Sequence, residues 1–304
     1  MVSSIPLFSH KHELDLSPEA FGELRSSADC ADDVAELNRR LTDDGYLYIP
    51  GFFDRDLIQA GRAAVTDRLA AEGTLDPAYP AIEARRRPDR ELGYRGDLAK
   101  DNAAIDRVVF GPELLDFYTR LFGEPVRHFD NKWFRAVGRG QGTPPHCDLV
   151  YMGRGTHQLY TAWIPYGDVS LELGGLMLLE HSHRQAARLR NYLEVDVDSY
   201  CENRPREVQK VKNQGGWSHP GHLTTNPYTL RQKLGGRWLT TEYRMGDLLT
   251  FGMTLIHGSL DNQTDFVRLS SDTRYQRASQ PIDTRWVGSN PSGHTLRAKQ
   301  GLIC

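Results

Sequence analysis

The chain has few cysteines and no long apolar run. Its 304 residues include four cysteines, Cys30, Cys147, Cys201 and Cys304, and no two of them are close in sequence. This spacing excludes a C-x-x-C motif, and it predicts free thiols in a reducing, cytoplasmic setting. No segment approaches the ~20 consecutive apolar residues of a membrane-spanning helix, and we expect no signal peptide because the N-terminus has no apolar core.

The chain also has no large excess of positive or negative charge. The net charge is −3 and the pI is about 6.4, which argues against nucleic acid or a membrane surface as a partner. Hydrophobic residues make up 39% of the chain and charged residues 25%, as in ordinary globular proteins. There is no internal repeat and no linker, so we expect a single domain over residues 1–304.

The sequence pattern changes near residue 125, from helical spacing to short β-rich runs. Helical spacing predicts helices over residues 33–44, 54–72 and 112–122, whereas the first 15 residues are expected to be irregular. Between about residues 126 and 285, short β-rich runs are punctuated by Gly, Pro and Asp, which predicts a mainly β core with flanking helices. A lid-like insert is expected at about 184–236, since a segment of that length with little periodicity is usually functional.

His146 and Asp148 form the first chemical motif, in the stretch GTPPHCDLVYMG. In an extended chain, residues two apart point to the same side, so these two side chains would face one ion while Cys147 faces away. Pro144 and Pro145 favour extended geometry here. A histidine and a carboxylate suit a divalent metal, although the pattern is short enough to occur on an ordinary solvated strand.

A facial iron site needs a second imidazole. Four sequence neighbourhoods compete for this role, because eleven histidines are available. They are His157, the pair His181 and His183, the pair His219 and His222, and His257.

His257 has the most informative surroundings. It ends the apolar run LLTFGMTLI and opens into HGS, which places Ser259 on the same strand face. Arg268 lies eleven residues later in the next β-rich run, so an antiparallel return would bring it near Ser259. A guanidinium and a hydroxyl at the bottom of a β pocket can bind a carboxylate. A structural histidine and a surface ion-pair arginine are the alternatives.

Four segments resemble the phytanoyl-CoA dioxygenase family: DGYLYIPGFFDRDLI at 44–58, HCD at 146–148, TAWIPYGDVSLELGGLMLLEHSH at 161–183 and GDLLTFGMTLIHGSLDNQTDFVRLSSDTRYQ at 246–276. The resemblance covers roughly residues 33–280. It implies iron(II)- and 2-oxoglutarate-dependent oxygenase activity on a double-stranded β-helix, the jelly-roll or cupin-like core.

The resemblance also implies roles for individual residues. His146, Asp148 and His257 match the iron ligands, and Arg268 matches the arginine that holds the distal carboxylate of 2-oxoglutarate. Ser259 matches a hydroxyl that assists this arginine. Trp163 matches a tryptophan that lines the co-substrate pocket, and Thr161 shares its strand face. His181 departs from the family pattern, because it stands where a turn glycine is more common.

The reaction implied is oxidation of a small molecule by O₂, coupled to decarboxylation of 2-oxoglutarate to succinate and CO₂. Family members that halogenate have a small residue in place of Asp148, so its presence favours hydroxylation, desaturation or ring closure. The substrate is expected to be a small polar metabolite or a natural-product intermediate. Trp217 and His219 in the insert are predicted substrate contacts, and Arg95, Arg135 and Arg277 are possible cations.

Two other classes of function compete with this one. A cupin-like metalloenzyme that does not use 2-oxoglutarate would need no carboxylate clamp at Arg268 and Ser259. A binding or structural β-barrel with a degenerate metal site would have lost a ligand, and none of the three is missing.

Overall fold

The computed structural model describes residues 5–304 except 91, 93 and 94. Its α-helices are α1 (Val34–Asp44), α2 (Arg55–Ala71), α3 (Ala103–Val109), α4 (Pro112–Phe122), α5 (Leu149–Met152), α6 (Arg190–Leu193), α7 (Pro205–Val208) and α8 (Pro227–Leu234). Its strands are β1 (Phe8–Ser9), β2 (His12–Glu13), β3 (Phe21–Glu23), β4 (Tyr46–Ile49), β5 (Val126–His128), β6 (Trp133–Val137), β7 (Leu159–Pro165), β8 (Leu176–Leu179), β9 (Ser199–Cys201), β10 (Trp238–Thr240), β11 (Leu248–Gly252), β12 (His257–Ser259), β13 (Arg268–Arg277) and β14 (Gln300–Leu302). None of the helices in this part of the chain is both long enough and apolar enough to cross a lipid bilayer.

Two facing sheets form a jelly-roll core that stays open at its edges. The larger sheet has the order β4-β11-β7-β13, and both β5 and β6 pair with the far side of β13. The smaller sheet has the order β12-β8-β10-β3, in which only β3 and β10 are parallel. The predicted double-stranded β-helix is therefore confirmed. The outer side of β12 pairs with residues 143–146 through backbone hydrogen bonds of Thr143 and His146 to Ser259 and His257.

The helices cover the outer face of the larger sheet. Side chains of α2, α3 and α4 pack against β4, β6, β7, β11 and β13 in the largest apolar cluster of the described residues. The helix ends follow the local sequence. Asp33 caps α1 by accepting a hydrogen bond from the Glu36 amide at 3.0 Å, and Gly45 ends it with a φ of 82°. The three helices predicted before residue 125 are confirmed, and α3 was missed.

The N-terminal region is more ordered than the sequence predicted. β3 and β4 join the smaller and larger sheets respectively, so this region is not purely helical. β1 and β2 form a hairpin whose turn residues, His10 and Lys11, both have positive φ. The carboxylate of Asp261 accepts from their amides at 2.8 and 2.7 Å. The prediction of an irregular start was wrong for residues 5–15, because this anchor lies 250 residues away in sequence. Residues 1–4 lie outside the described part of the chain.

The insert at 184–236 contains α6, β9, α7 and α8 rather than unstructured chain. Strand β9 pairs in parallel with β14 near the C-terminus. Cys201 and Cys304 form a disulfide beside this pair, so the prediction of four free thiols was wrong for these two residues. Cys30 and Cys147 are free and buried.

Candidate metal centre

His146 and His257 meet across the open edge of the sandwich. Each donates its backbone amide to the other's carbonyl at 2.9 Å, and their ring centroids are 4.2 Å apart. Gly258 permits this approach, because a Cβ there would lie 2.9 Å from the carbonyl oxygen of Thr143. The extended geometry predicted for 146–150 ends at Asp148, where helix α5 begins. Asp148 still turns towards both imidazoles.

His146, Asp148 and His257 are the one group in the described chain whose His, Cys, Asp or Glu atoms could jointly hold a metal ion. Their ligand atoms all lie within 4.8 Å of one another, and all three residues are buried. Oδ1 of Asp148 lies 3.8 Å from Nε2 of His146 and 3.6 Å from Nε2 of His257. Of the competing histidines, none of His157, His181, His183, His219 and His222 belongs to this group.

Both imidazoles are prepared as neutral ligands. Nδ1 of His146 donates to the Pro144 carbonyl at 2.9 Å, and Nδ1 of His257 donates to the Leu255 carbonyl at 3.0 Å. This fixes the tautomer that leaves each Nε2 lone pair free for a metal. Burial, together with the neighbouring His257, lowers the pKa of His146 to about 3, and burial also lowers the pKa of His257.

Asp148 is held through its other oxygen. Oδ2 accepts from the Thr161 hydroxyl at 2.5 Å and from Nη2 of Arg274 at 2.8 Å, which leaves Oδ1 facing the imidazoles. Burial raises the pKa of Asp148, but the charge of Arg274 and the hydrogen bond from Thr161 lower it, and the pKa is below its usual value. The carboxylate is thus ionised and oriented to offer one oxygen. Thr161 therefore positions a metal ligand, which sequence reasoning had not foreseen.

A narrow cavity runs from the triad to Arg268. The residues that line it are Arg135, Thr143, His146, Thr161, Trp163, Leu176, Phe251, His257, Gly258, Arg268, Asp272 and Arg274. Arg268 is 1% exposed, and its Nε and Nη1 have no hydrogen-bond partner among the described residues. Burial, reinforced by the charge of Arg135, lowers the pKa of Arg268 to about 10. A buried guanidinium without a partner is costly, so this cavity fits an anionic ligand.

Three further donors on β7 and β13 have no partner. Nε1 of Trp163, Oγ of Ser270 and Nε of Arg274 are buried without a hydrogen bond in the described structure. Ser270 lies two residues after Arg268 on β13 and therefore shares its face. Ser259 accepts from the Thr143 amide at 2.8 Å through its hydroxyl, and neither Ser259 nor Ser270 is among the residues that line the cavity. Ser270 is thus a second hydroxyl near Arg268, and the role of Ser259 stays a prediction.

The polar face of β13 carries more of the site than the sequence analysis recognised. Arg268, Ser270, Asp272 and Arg274 share this face, and every residue of the strand except Arg277 is buried. Arg274 also donates to Asp272 at 2.5 Å and stacks 4.2 Å over the ring of Trp133. Charged residues at 268, 272 and 274 of one β-rich run were the available signal, and the sequence analysis used only Arg268.

Cys147 faces away from the triad, as expected. Its thiol packs with the apolar residues outside the smaller sheet and donates to the Thr254 carbonyl at 3.3 Å. Burial raises the pKa of this thiol well above its usual value. The residue is thus an inert core side chain.

The predicted substrate contacts lie in different places. Trp217 packs against Tyr151 with ring centroids 5.5 Å apart, and Tyr151 in turn lies 5.5 Å from His146. The ring of His219 lies 6.3 Å from that of Tyr192, and its Nδ1 accepts from the Gly221 amide at 3.0 Å. The ring of Tyr151 therefore lies between Trp217 and His146 of the triad.

The three arginines proposed as cations, Arg95, Arg135 and Arg277, lie in different parts of the structure. Arg95 pairs with Asp97 and with Glu72 at 2.9 and 2.8 Å and is not among the residues that line the cavity, and its role as a substrate contact stays a prediction. Arg277 stacks on Phe122 on the outside of the sheet. Of these three arginines, only Arg135 lines the cavity.

His181 lies at an exposed turn outside the site. Its φ of 56° is the left-handed conformation that favours glycine, which accounts for the glycine expected at this position.

Comparison with known proteins gives a family and a set of relatives. The sequence profile of the family described as phytanoyl-CoA dioxygenase matches residues 41–270. A 1-deoxypentalenic acid 11-beta-hydroxylase from Streptomyces exfoliatus is 26% identical over 274 residues, covering 84% of this chain and 87% of the relative.

Solved structures show the same fold at lower identity. The non-heme alpha ketoglutarate dependent carbocyclase SnoK from nogalamycin biosynthesis superposes with a TM-score of 0.57 at 20% identity, covering 83% of this chain and 88% of that one. EctD from S. alaskensis superposes with a TM-score of 0.56 at 16% identity, covering 98% of both chains.

Proposed function

The chain belongs to the phytanoyl-CoA dioxygenase family, and on that premise we propose that it is an iron(II)- and 2-oxoglutarate-dependent oxygenase that hydroxylates a small organic molecule. The single observation that carries the proposal is the pairing of a buried His-Asp-His triad with an unpartnered, buried Arg268 in one cavity. Hydroxylation is favoured because the curated relative is named a hydroxylase. Desaturation and ring closure are the other outcomes compatible with an intact Asp148.

The protein residues have distinct tasks in this proposal. His146, Asp148 and His257 hold iron(II), and two imidazoles with one carboxylate are the ligand set of non-haem iron oxygenases. Bound iron and 2-oxoglutarate together supply the activation of O₂, with succinate and CO₂ as products. Arg268 binds the distal carboxylate of 2-oxoglutarate, assisted by the hydroxyl of Ser270 and bordered by Trp163.

Other side chains prepare the site. Thr161 and Arg274 orient Asp148, so that the metal meets one oxygen of fixed direction. We assign the insert at 184–236, with Trp217 and His219, to the rim over which the substrate enters. The substrate is a natural-product intermediate or a small polar metabolite.

We propose that the enzyme is cytoplasmic, because widely spaced cysteines without a C-x-x-C pair fit a reducing compartment. The Cys201–Cys304 disulfide is the feature that argues against this location. Alkylation of thiols in freshly lysed cells decides the matter: two accessible thiols after unfolding place the protein in an oxidising setting, and four place it in a reducing one.

The test is an anaerobic titration of metal-free protein with iron(II) and then 2-oxoglutarate, followed by visible absorbance. A weak charge-transfer band that needs both additions is the expected result, and Asp148→Ala should abolish it. His157→Ala is the matched control, because His157 is exposed and outside the triad. Metal binding without a band would instead support a cupin-like enzyme that does not use 2-oxoglutarate.

A further inference from the structure

The cavity beside the triad has one positive charge more than the proposed co-substrate can neutralise. It contains three guanidinium groups, on Arg135, Arg268 and Arg274, against two carboxylates, on Asp148 and Asp272. The imidazoles count as neutral, because each Nδ1 donates to a backbone carbonyl and each Nε2 is left as a lone-pair ligand for the metal. Iron(II) and the 2-oxoglutarate dianion cancel one another, so a single positive charge is left over.

Arg135 is the group that carries this charge towards the outside. Arg274 is bound by both aspartates, and Arg268 is committed to the distal carboxylate of 2-oxoglutarate in the proposed function. Arg135 has one hydrogen bond to a side chain, from its Nε to Oδ1 of Asp272 at 3.2 Å. Its side chain is 27% exposed, in contrast to the buried Arg268 and Arg274.

Arg135 also lies between two cavities. It lines the cavity of the triad, and it lines a wider one at the open edge of the sandwich, which shares Thr143 with the first. The wider cavity is bordered by His10 and Lys11 of the N-terminal hairpin. Asp261 holds these two residues in left-handed turn geometry, which non-glycine residues rarely adopt.

The lining of this wider cavity carries two cations, Lys11 and Arg135, and one carboxylate, that of Asp261, which accepts from two backbone amides. Its net charge is therefore one positive. Arg135 also lines the cavity that contains His146. An arginine with free Nη donors binds a carboxylate through two parallel hydrogen bonds.

We propose that the oxidised substrate carries an anionic group, a carboxylate, which pairs with Arg135 at the border of the two cavities while 2-oxoglutarate occupies Arg268. This inference rests on the proposed function and specifies its substrate class. The charge balance of the cavity then closes, because one monoanion neutralises the charge that the metal, the co-substrate and the protein leave over.

Benzoate and benzamide provide a matched pair of probes, equal in shape and different in charge. Both are titrated anaerobically by calorimetry into protein saturated with iron(II) and 2-oxoglutarate, while the charge-transfer band reports that 2-oxoglutarate stays bound. We expect benzoate to bind at least tenfold more tightly than benzamide. Arg135→Gln should remove this preference and leave the affinity for 2-oxoglutarate within about twofold, whereas Arg135→Lys should retain part of the preference.

Arg139→Gln is the control, since Arg139 lies just beyond the same strand, is 56% exposed and pairs with Asp265 on the surface. It should leave the preference for benzoate unchanged. Equal binding of the two probes by the wild-type protein, including no binding of either, would overturn the inference. So would an Arg135→Gln variant that loses 2-oxoglutarate instead of benzoate, because Arg135 would then belong to the co-substrate site. Absence of the charge-transfer band would refute the proposed function itself.

Discussion

Arg274 and Asp148 are joined by a buried hydrogen bond of 2.8 Å between Nη2 and Oδ2, on the side of the carboxylate that faces away from the imidazoles. The arginine therefore acts on the carboxylate and not directly on the metal. It fixes the direction in which Asp148 offers its other oxygen and keeps the carboxylate charged in a buried setting. Thr161 donates to the same oxygen, so two groups from two neighbouring strands orient one ligand.

Removing the Thr161 hydroxyl should weaken metal binding without removing a ligand. We expect Thr161→Val to lower the affinity for iron(II) about 10- to 100-fold, the usual cost of losing a partner that orients a metal ligand. Anaerobic competition with a chelator measures this affinity. Thr161→Ser keeps the hydroxyl and should bind iron nearly as well as the wild type. Equal affinity of the valine variant and the wild type would show that Arg274 alone orients Asp148.

Ser270 and Ser259 should differ in their effect on 2-oxoglutarate. The Ser270 hydroxyl has no partner in the described structure, while that of Ser259 accepts from the Thr143 amide. Loss of a hydrogen bond to a charged ligand is worth about 1.5–3 kcal/mol, so Ser270→Ala should weaken 2-oxoglutarate about 10- to 100-fold. Titration of the charge-transfer band gives this affinity. A larger loss in Ser259→Ala than in Ser270→Ala would return the role to Ser259.

The cluster around Asp198 should make stability depend on acid pH. Asp198 is fully buried, and it accepts from Arg285, His294 and Lys299 at 2.5, 2.8 and 2.7 Å. Burial raises the pKa of Asp198, but these partners outweigh it and lower the pKa to about 2. Because the folded pKa lies below the unfolded value of about 3.9, the contribution to stability is present above pH 4 and is lost as the pH falls towards 2.

Urea unfolding at several pH values tests this contribution of Asp198. Asp198→Asn should lower the free energy of unfolding by about 2–3 kcal/mol at pH 7, and the difference from the wild type should shrink between about pH 4 and pH 2. Asp32→Asn is the control, because the Asp32 side chain is 99% exposed. A difference for Asp198→Asn that stays constant with pH would contradict the assignment.

Removing the Cys201–Cys304 disulfide should lower the free energy of unfolding, mainly because it raises the conformational entropy of the unfolded chain. The disulfide spans 103 residues, and loop-closure entropy for a loop of that length corresponds to about 4.7 kcal/mol. We expect Cys304→Ser to lose a sizeable part of this stability in urea unfolding. Treatment with a reductant should bring the wild type to the same stability and leave the variant unchanged. A wild type that is insensitive to reductant would show that the bond does not form.

The sequence by itself determined the elements whose signals are local. The helices α1, α2 and α4 were predicted because capping residues and apolar periodicity lie within each helix, and the β-rich runs became the strands of the two sheets. His146, Asp148, His257 and Arg268 were selected because strand spacing and the family pattern act over short stretches of chain.

The tertiary structure decided what depends on distant residues. The hairpin at His10 and Lys11 is ordered by Asp261, and the partner of Cys201 is the last residue of the chain. The hydrogen-bond partners of the Ser259 and Ser270 hydroxyls depend on which backbone amides lie beside them in the folded chain. Arg274 contacts Asp148 only because β13 pairs with β7. Local propensity cannot predict such contacts, because the packing of the two sheets brings together groups that are far apart in sequence.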